Sequence, residues 1–332
     1  MTRFIVRRGA AMLVVLAVLL AVMFGLQHLT PADPVSAAIG RGASPQIIAE
    51  LRHKLGYDRP LPVQFFSYVG QVLQGNLGAS LVTHDQVRSD LAKAVPATVE
   101  LVLVAFVIAI IGAVVLGMVS ASRHKIARGL RVALLAGAST PVFLISLVLI
   151  IIFYHNLHLL PATGQTSLHN APNGPTRLLL LDSLLHGNTA SFLNALQHLI
   201  LPAICLATAP MVAIGRVLAS AIETQSRADY VRTARSKGLG HRRVLFKHTM
   251  RNCLNGALAM TGLQVGAMFG GVIVVENVFA WPGLGNYTAN AISTDDFPAI
   301  LGTVLVVGTV YVVANMIVDA LQAWADPRIA LG

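Results

Sequence analysis

The sequence predicts an all-α polytopic membrane protein with about six transmembrane helices. Of its 332 residues, 55% are hydrophobic and only 11% are charged, whereas a soluble domain has about 25% charged residues. The charges are clustered, and between them lie uncharged runs of the ~20 residues that a helix needs to cross the core of a bilayer. A membrane β-barrel would instead have alternating segments of about ten residues, which this sequence lacks.

Six apolar runs in the sequence are long enough to cross a membrane. We predict spans at 9–29, 97–122, 130–153, 196–221, 254–279 and 299–324. In the fifth run, Gly262, Gly266 and Gly270 have the spacing of small residues that lets two helices approach closely. This spacing supports helix packing but does not identify the partner helix.

The loops that follow the first and third spans differ in character. Residues 30–96 are predicted to form an extracytoplasmic loop or cap, in which Pro62 begins a short amphipathic stretch and Gly75 ends it. The sequence leaves open whether this loop covers the outer mouth or only packs on the helix ends. Residues 154–196 are predicted to form a second, mostly irregular extracytoplasmic loop, because prolines and glycines recur in them.

The lysine and arginine residues collect on one side of the predicted spans. With the N-terminus placed inside the cell, 17 of the 24 lie on the cytoplasmic side and 7 lie outside. The positive-inside rule therefore predicts a multi-pass protein of the cytoplasmic membrane with both termini in the cytoplasm. The net charge of +10 then reflects topology and contact with membrane lipid, and we predict no binding to nucleic acid.

Residues 222–253 join the fourth and fifth spans through a basic segment that is much longer than a turn requires. Ser226 is expected to cap a helix in which Asp229 and Arg232 pair across one turn. Gly238 is expected to end this helix in a left-handed conformation, and a second helix is predicted at 241–252. The residues by themselves fit two interpretations equally: an amphipathic helix on the membrane surface, or a docking surface for a cytoplasmic partner.

The segment 229–252 resembles the cytoplasmic loop of the permeases of binding-protein-dependent ABC importers, which carry a Glu-Ala-Ala pattern followed by Gly. The peptide-importer branch typically reads D-Y-V-R-T-A-R-A-K-G-L, and this chain differs from it only at Ser236. Arg232 and Thr233 stand at the Glu and first Ala positions of the general pattern, as is usual for that branch. Further segments match the same family in order, at 30–34, 55–64, 75–80, 95–101, 159–162, 275–285 and 326–328.

The resemblance implies a fold like that of ABC type I importers, with residues 1–332 forming a single permease domain. The chain looks like the first of the two permeases of a dipeptide or oligopeptide importer. The implied partners are a second homologous permease subunit, two ABC ATPase domains and an extracytoplasmic solute-binding protein. In such permeases a cytoplasmic coupling helix contacts the ATPase, and the residues that correspond to it here are Asp229, Tyr230, Arg232, Thr233, Ala234, Arg235, Lys237, Gly238 and Leu239.

No phosphate-binding motif G-x-x-x-x-G-K-[ST] occurs in the sequence. ATP and Mg²⁺ are therefore expected on the partner ATPase subunits, and we expect this chain to bind no cofactor of its own. The motifs H-E-x-x-H and G-x-S-x-G are also missing from the sequence, so we predict a transport subunit without catalytic residues rather than an enzyme.

Five other residues are candidates for a structural or gating role. Glu276 lies at the outer end of the fifth span, where we expect a structural hydrogen bond to the turn formed by Trp281, Pro282 and Gly283. Arg216 lies in the fourth span towards the cytoplasm, where we expect it to anchor the helix rather than gate it.

The sequence does not determine the transported solute or the residues that bind it. Peptides are the default for this branch, while nickel, glutathione or another small solute are alternatives within the same family. A stand-alone secondary carrier is a further alternative, but the centres of the spans are nearly free of the ionisable residues that such carriers use. The histidines are scattered along the chain, so we predict no metal site.

Overall fold

The computed structural model describes residues 2–29, 46, 49–50, 52–53, 56, 58–120, 129, 132, 137–172, 174–240 and 243–325. Within these residues the chain is almost entirely helical, and β-pairing is limited to one antiparallel bridge between Ala79 and Gln86. We number the helices α1 (Thr2–Leu29), α2 (Leu61–Leu73), α3 (Val87–Ser120), α4 (Val142–Leu149), α5 (Leu179–Leu185), α6 (Thr189–Ser226), α7 (Asp229–Ser236), α8 (Met250–Val278), α9 (Leu284–Ser293) and α10 (Phe297–Ala325). Two π-helical segments adjoin them, Ile150–Asn156 after α4 and Val244–Thr249 before α8.

Five of these helices are long and apolar enough to cross a membrane. The spans are Gly9–His28, Val87–Val119, Thr189–Ser226, Met250–Val278 and Phe297–Val318. The third predicted span begins among residues that lie outside the described part of the chain, and its described end forms α4 and the π-helical segment that follows it. The prediction of an all-α polytopic membrane protein is confirmed.

Two spans begin at least seven residues earlier than the sequence predicted. α3 begins ten residues before position 97 and continues through Pro96. α6 begins at Thr189 because the Asn188 side chain accepts a hydrogen bond from the Ser191 N–H (3.0 Å) and caps the helix. The 38 residues of α6 correspond to about 57 Å of helix, which exceeds the ~30 Å of hydrocarbon in a bilayer. Part of α6 therefore lies beyond the hydrocarbon core.

The loops contain more helix than predicted. The amphipathic stretch expected after Pro62 is α2, which ends just before Gly75, a residue with φ +78°. The second predicted loop also contains helix, in α5 and the first residues of α6, but most of its described residues lie outside helices, as expected. Pro161, Gly164, Pro172, Gly174 and Pro175 all lie in the non-helical stretch between the π-helical segment Ile150–Asn156 and α5.

The chain divides into two compact units. Unit 1 comprises Met1–Val95 and Tyr287–Val312, and unit 2 comprises Pro96–Asn286 and Val313–Gly332. Within unit 1, the Asp296 carboxylate is buried and accepts hydrogen bonds from the Ser80 hydroxyl (2.5 Å) and the Leu81 N–H (2.9 Å). Asp296 therefore ties the segment after α2 to the start of α10.

The core of unit 2 is built from large apolar side chains of α3, α6, α8 and the turn that follows α8. Leu101, Leu199, Met268, Phe279 and Trp281 are each at most 1% exposed and belong to one packed cluster. A second cluster lies further along the same helices and contains Ala113, Ile214, Leu218, Ile222, Cys253 and Ala257. The two clusters hold these three helices together along most of their length.

Candidate functional site

The connection between α6 and α8, residues 227–249, begins with the short amphipathic helix α7. Val231 and Ala234 of α7 are buried and pack against Val244 and Leu239. No side chain caps the N-terminus of α7. Burial of this small apolar face therefore holds α7 against the chain that returns to α8.

Gly238 ends the turn after α7 in the left-handed region, with φ +79°. Its N–H donates to the Arg235 carbonyl (2.9 Å), and the Leu239 N–H donates to the Ala234 carbonyl (3.3 Å). A Cβ at position 238 would meet no atom within 4 Å, so the backbone conformation, and not space, favours glycine here. The predicted left-handed glycine is confirmed.

The opposite face of α7 is polar and open. Arg232 and Asp229 form the predicted ion pair (3.4 Å), but their side chains are 78% and 95% exposed, so the pair adds little stability. The Tyr230 hydroxyl donates to Gln225 Oε1 at the end of α6 (2.8 Å). The exposed members of the predicted coupling set are Asp229, Tyr230, Arg232, Thr233, Arg235, Lys237 and Gly238. The structure therefore gathers these residues on one short helix and its glycine turn.

Two expectations for this connection are wrong. Ser226 does not cap α7, because it is the last residue of α6 and Ala228 occupies the N-cap position. The predicted second helix is not separate from the fifth span, because Val244–Thr249 is π-helical and runs directly into α8. Positions 241 and 242 lie outside the described residues. The chain that packs against α7 is therefore continuous with α8 and is not separated from it by a second turn.

Glu276, near the C-terminal end of α8, is fully buried and well supplied with hydrogen-bond donors. Its carboxylate accepts from the Thr98 hydroxyl (2.6 Å), the Gly285 N–H (2.6 Å) and the Asn286 N–H (3.2 Å). Thr98 Oγ1 accepts in turn from the Leu284 N–H (2.7 Å). A buried carboxylate is costly without such partners. Because two of the donors are N–H groups at the start of α9, the bonds also hold the start of α9 against the end of α8.

The turn between α8 and α9 is shaped by the remaining predicted residues. Trp281 is fully buried, and its indole Nε1–H donates to the Ala97 carbonyl of α3 (3.0 Å). A Cβ at Gly283 would overlap the Glu276 carboxylate, so this position needs glycine for close approach, while Pro282 is exposed. The Glu276 carboxylate does not bond to the turn as expected, because its partners are Thr98 of α3 and the Gly285 and Asn286 N–H groups after the turn.

Sequence reasoning missed two polar residues in α3. Thr98 completes the Glu276 network, and Glu100 is buried and accepts from the Leu180 N–H (2.6 Å) and from Gln165 Nε2 (2.8 Å). The sequence does indicate that Thr98 and Glu100 need partners, because a threonine and a glutamate early in an apolar span are costly without them. The partners lie far away in the chain, so spacing could not name them.

Comparison with known proteins identifies the family. Residues 113–331 match the model of the binding-protein-dependent transport system inner membrane component, and residues 1–102 match the N-terminal region described for such membrane components. The chain belongs to this family. It is therefore a multi-pass permease of the ABC importer class.

Several relatives are similar to this permease along nearly its whole length. The di/tripeptide transport system permease protein DppB of Pseudomonas aeruginosa is 40% identical, with 99% of each chain covered. The probable D,D-dipeptide transport system permease protein DdpB of Escherichia coli is 38% identical, covering 98% of this chain and 97% of the relative. The dipeptide transport system permease protein DppB of Alkalihalophilus pseudofirmus is 36% identical, with 99% of each chain covered.

Arg216 of this permease lies apart from the Glu276 network. It is exposed on α6 and lines an open cavity of about 960 Å³ within unit 2. The wall is formed by residues of α6 between positions 213 and 225, together with Leu116 of α3 and Met260 of α8. Met260 lies in the half of α8 that is nearer to α7, whereas Glu276 lies at the other end, so the two predicted candidates belong to different sites.

Two of the described histidines illustrate partners other than a metal ion. His198 Nδ1 lies 2.9 Å from the Thr163 carbonyl oxygen, and His28 Nε2 lies 3.1 Å from Gln64 Oε1. In the part of the chain that the structure describes, no three His, Cys, Asp or Glu side chains come together as metal ligands. We identify no metal centre among these residues.

Proposed function

We propose that this permease imports short peptides as one of two membrane subunits of an ATP-driven transporter. The observation that carries the proposal is the arrangement of α7, whose apolar face is packed on the chain before α8 while its polar face and glycine turn are exposed. A helix presented in this way suits docking to a soluble partner. The names of relatives at 36–40% identity, all dipeptide or di/tripeptide permeases, support a peptide as the solute.

In this proposal α7 is the coupling helix that receives the movement of an ATPase subunit. The ATPase subunits bind ATP and Mg²⁺, and their closure displaces α7. Val231 packs against Val244, and Val244 begins the helical run into α8, so a displacement of α7 is passed to α8. Alternating the membrane helices between two arrangements would then open the path on one side at a time.

The remaining partners and the orientation complete the proposal. A second, homologous permease forms the other half of the path, and an extracytoplasmic solute-binding protein delivers the peptide. Both termini and the α6–α8 connection lie in the cytoplasm, as the excess of lysine and arginine on that side favours. Membrane lipid surrounds the spans, which leave large side chains such as Leu13, Leu103 and Leu263 exposed.

A second candidate solute is a dipeptide of D-amino acids. One relative, 38% identical to this chain, is named for D,D-dipeptide transport, whereas another of 40% identity is named for di- and tripeptides. The two solutes share a carboxylate and an ammonium group and differ in stereochemistry. We place peptides in general first and D,D-dipeptides second.

Purification of the tagged chain from gently solubilised membranes tests the assembly. We expect stoichiometric amounts of a second six-helix permease and of an ATPase pair. A chain that purifies alone, or as a homo-oligomer that transports without ATP, would contradict the importer assignment and favour a secondary carrier.

Uptake by proteoliposomes of the complete complex tests the solute. L-Ala-L-Ala, D-Ala-D-Ala, glutathione and a nickel chelate are compared in the presence of the binding protein, with and without ATP. We expect uptake of a peptide that depends on ATP. Uptake of nickel or glutathione alone would retain the importer class and reject the peptide.

A further inference from the structure

A polar stripe runs along one face of α6 where the helix lines the open cavity. Arg216, Ser220 and Thr224 succeed one another at intervals of four residues, and all three are exposed. Residues at this interval share one face of a helix, so the stripe extends over about 12 Å. The stripe lies near the C-terminal end of α6 and presents its polar side chains to the open cavity.

The opposite face of α6 is apolar and buried, so the polar stripe is one side of an amphipathic helix. Ile214, Leu218 and Ile222, also four residues apart, are at most 3% exposed and belong to the second core cluster of unit 2. α6 is therefore amphipathic at this level, with one face in the protein core and one face towards the cavity. Its sequence places hydrophilic side chains on the cavity side.

Arg216 is the exposed cation on this wall. Among the described residues its guanidinium forms no hydrogen bond or ion pair. The carboxylate of Glu223 lines the same cavity but pairs with Arg227 (2.7 Å). An arginine that lines a cavity without an acidic partner is suited to an anionic group that enters from outside the chain.

We propose that this cavity is a transient binding site for the translocated peptide and that Arg216 binds its terminal carboxylate. This inference rests on the proposed function and adds a residue-level contact to it. The cavity, at about 960 Å³, is at the upper end of the usual size of ligand sites and has room for a short peptide. Glu223, seven positions from Arg216 and about 10 Å further along the helix, lies where the peptide's ammonium end would be.

The rest of the wall suits peptides of varied sequence. Ala213, Ala219 and Ala221 line the cavity and occupy little of it, so side chains of different size can be accommodated. The carboxylate is the group that all unmodified peptides share, and Arg presents paired donors that match it. A wall that combines one arginine with small residues therefore recognises the common end and tolerates the variable part.

Direct binding to the purified complete transporter tests this inference. The complex is placed in nanodiscs of neutral phosphatidylcholine without ATP or binding protein, and saturation-transfer NMR measures the binding of Ala-Ala and of its C-terminal amide. We expect the wild type to prefer the free acid by about tenfold, the effect of one charge-assisted hydrogen bond. Arg216→Gln should lose this preference, and Arg216→Lys should retain part of it.

Arg251→Gln provides the control, because Arg251 is an exposed cation at the start of α8 that does not line the cavity. It should keep the preference for the free acid. In proteoliposomes, Arg216→Gln should lower peptide uptake about tenfold while peptide binding by the separate solute-binding protein is unchanged.

Several outcomes overturn the inference and leave the proposed function intact. These are equal binding of acid and amide by the wild type, no binding by a complex that imports peptide, and normal uptake by Arg216→Gln. An effect of Arg216→Gln confined to discs that contain anionic phosphatidylglycerol would assign the residue to a lipid phosphate and also overturn it. A wild-type complex that imports no peptide at all contradicts the proposed function itself.

Discussion

The Thr98 hydroxyl donates a 2.6 Å hydrogen bond to Glu276 although 178 positions separate the two residues. The same oxygen accepts from the Leu284 N–H, so one side chain of α3 connects the end of α8 with the start of α9. Both partners of this bond are buried. The bond therefore fixes α3 to both ends of the turn between α8 and α9.

Thr98→Val should destabilise the protein, because it leaves the Glu276 carboxylate and the Leu284 N–H each short of a partner. We expect a loss of about 1–3 kcal/mol in the free energy of unfolding. The loss is measured as a lower unfolding temperature with a thiol-reactive dye. The dye reports unfolding because Cys205 and Cys253 are free and buried in the folded state. Thr98→Ser keeps the hydroxyl and should lie within about 1 kcal/mol of the wild type. Equal stability of the valine and serine variants would contradict the role given to the hydroxyl.

Gly238→Val should separate ATP hydrolysis from uptake. A β-branched residue resists the φ of +79° at this position, so α7 would end differently although nothing crowds the site. We expect at least a tenfold loss of uptake, about 1.4 kcal/mol, with ATP hydrolysis and membrane insertion retained. Gly238→Asn, which tolerates the left-handed region, is the control and should keep most of the uptake. Normal uptake by the valine variant would reject Gly238 as a determinant of coupling.

Val231→Ala should loosen α7 without altering its polar face. The buried Val231 side chain packs against Val244, and removal of two buried carbon atoms costs about 1.6 kcal/mol in transfer free energy, to which the cavity left behind adds. Hydrogen exchange of the α7 amides should then be about tenfold faster. Ser236→Ala, an exposed position of the same helix, should leave exchange nearly unchanged. The interpretation fails if both variants exchange alike.

The loop before α5 should be stable to mild acid. Burial raises the pKa of Asp182, but hydrogen bonds from the Thr176 hydroxyl and from the N–H groups of Thr176 and Gly174 outweigh it and lower the pKa below the ordinary value. A carboxyl whose folded pKa is lowered stabilises the fold above its unfolded pKa, near 3.9, and loses this contribution as the pH falls through the folded pKa. Hydrogen exchange in 174–185 should therefore, after correction for its intrinsic pH dependence, report the same protection at pH 7 and pH 5.

Asp182→Ala should reproduce at pH 7 the loss of stability that is expected when the pH falls below the folded pKa of Asp182. Loss of the acceptor leaves the Gly174 and Thr176 donors unpaired, and exchange of this loop should be at least about fivefold faster, as about 1 kcal/mol requires. Asp58→Ala is the control, because Asp58 is a surface carboxylate bonded to His53 in unit 1. Unchanged protection in Asp182→Ala would show that the carboxylate does not order the loop.

Local patterns predicted the elements of this fold but not their limits. Long apolar runs and the glycine at position 238 identified spans and a helix end because both signals act through neighbouring residues. The start of α6 was misplaced because Asn188 caps it within a polar stretch. The run from Val244 into α8 was divided in two because basic residues interrupt the apolar pattern without interrupting the helix.

The sequence by itself determined that this protein is an all-helical membrane permease and where its basic connection lies. Composition and the order of short motifs carry that information along the chain. Only the tertiary structure decided that Thr98 is the partner of Glu276 and that Arg216 faces a cavity while Leu218 faces the core. The physical reason is that hydrogen bonds and burial depend on which residues meet in space, whereas helix periodicity depends only on residues a few positions apart.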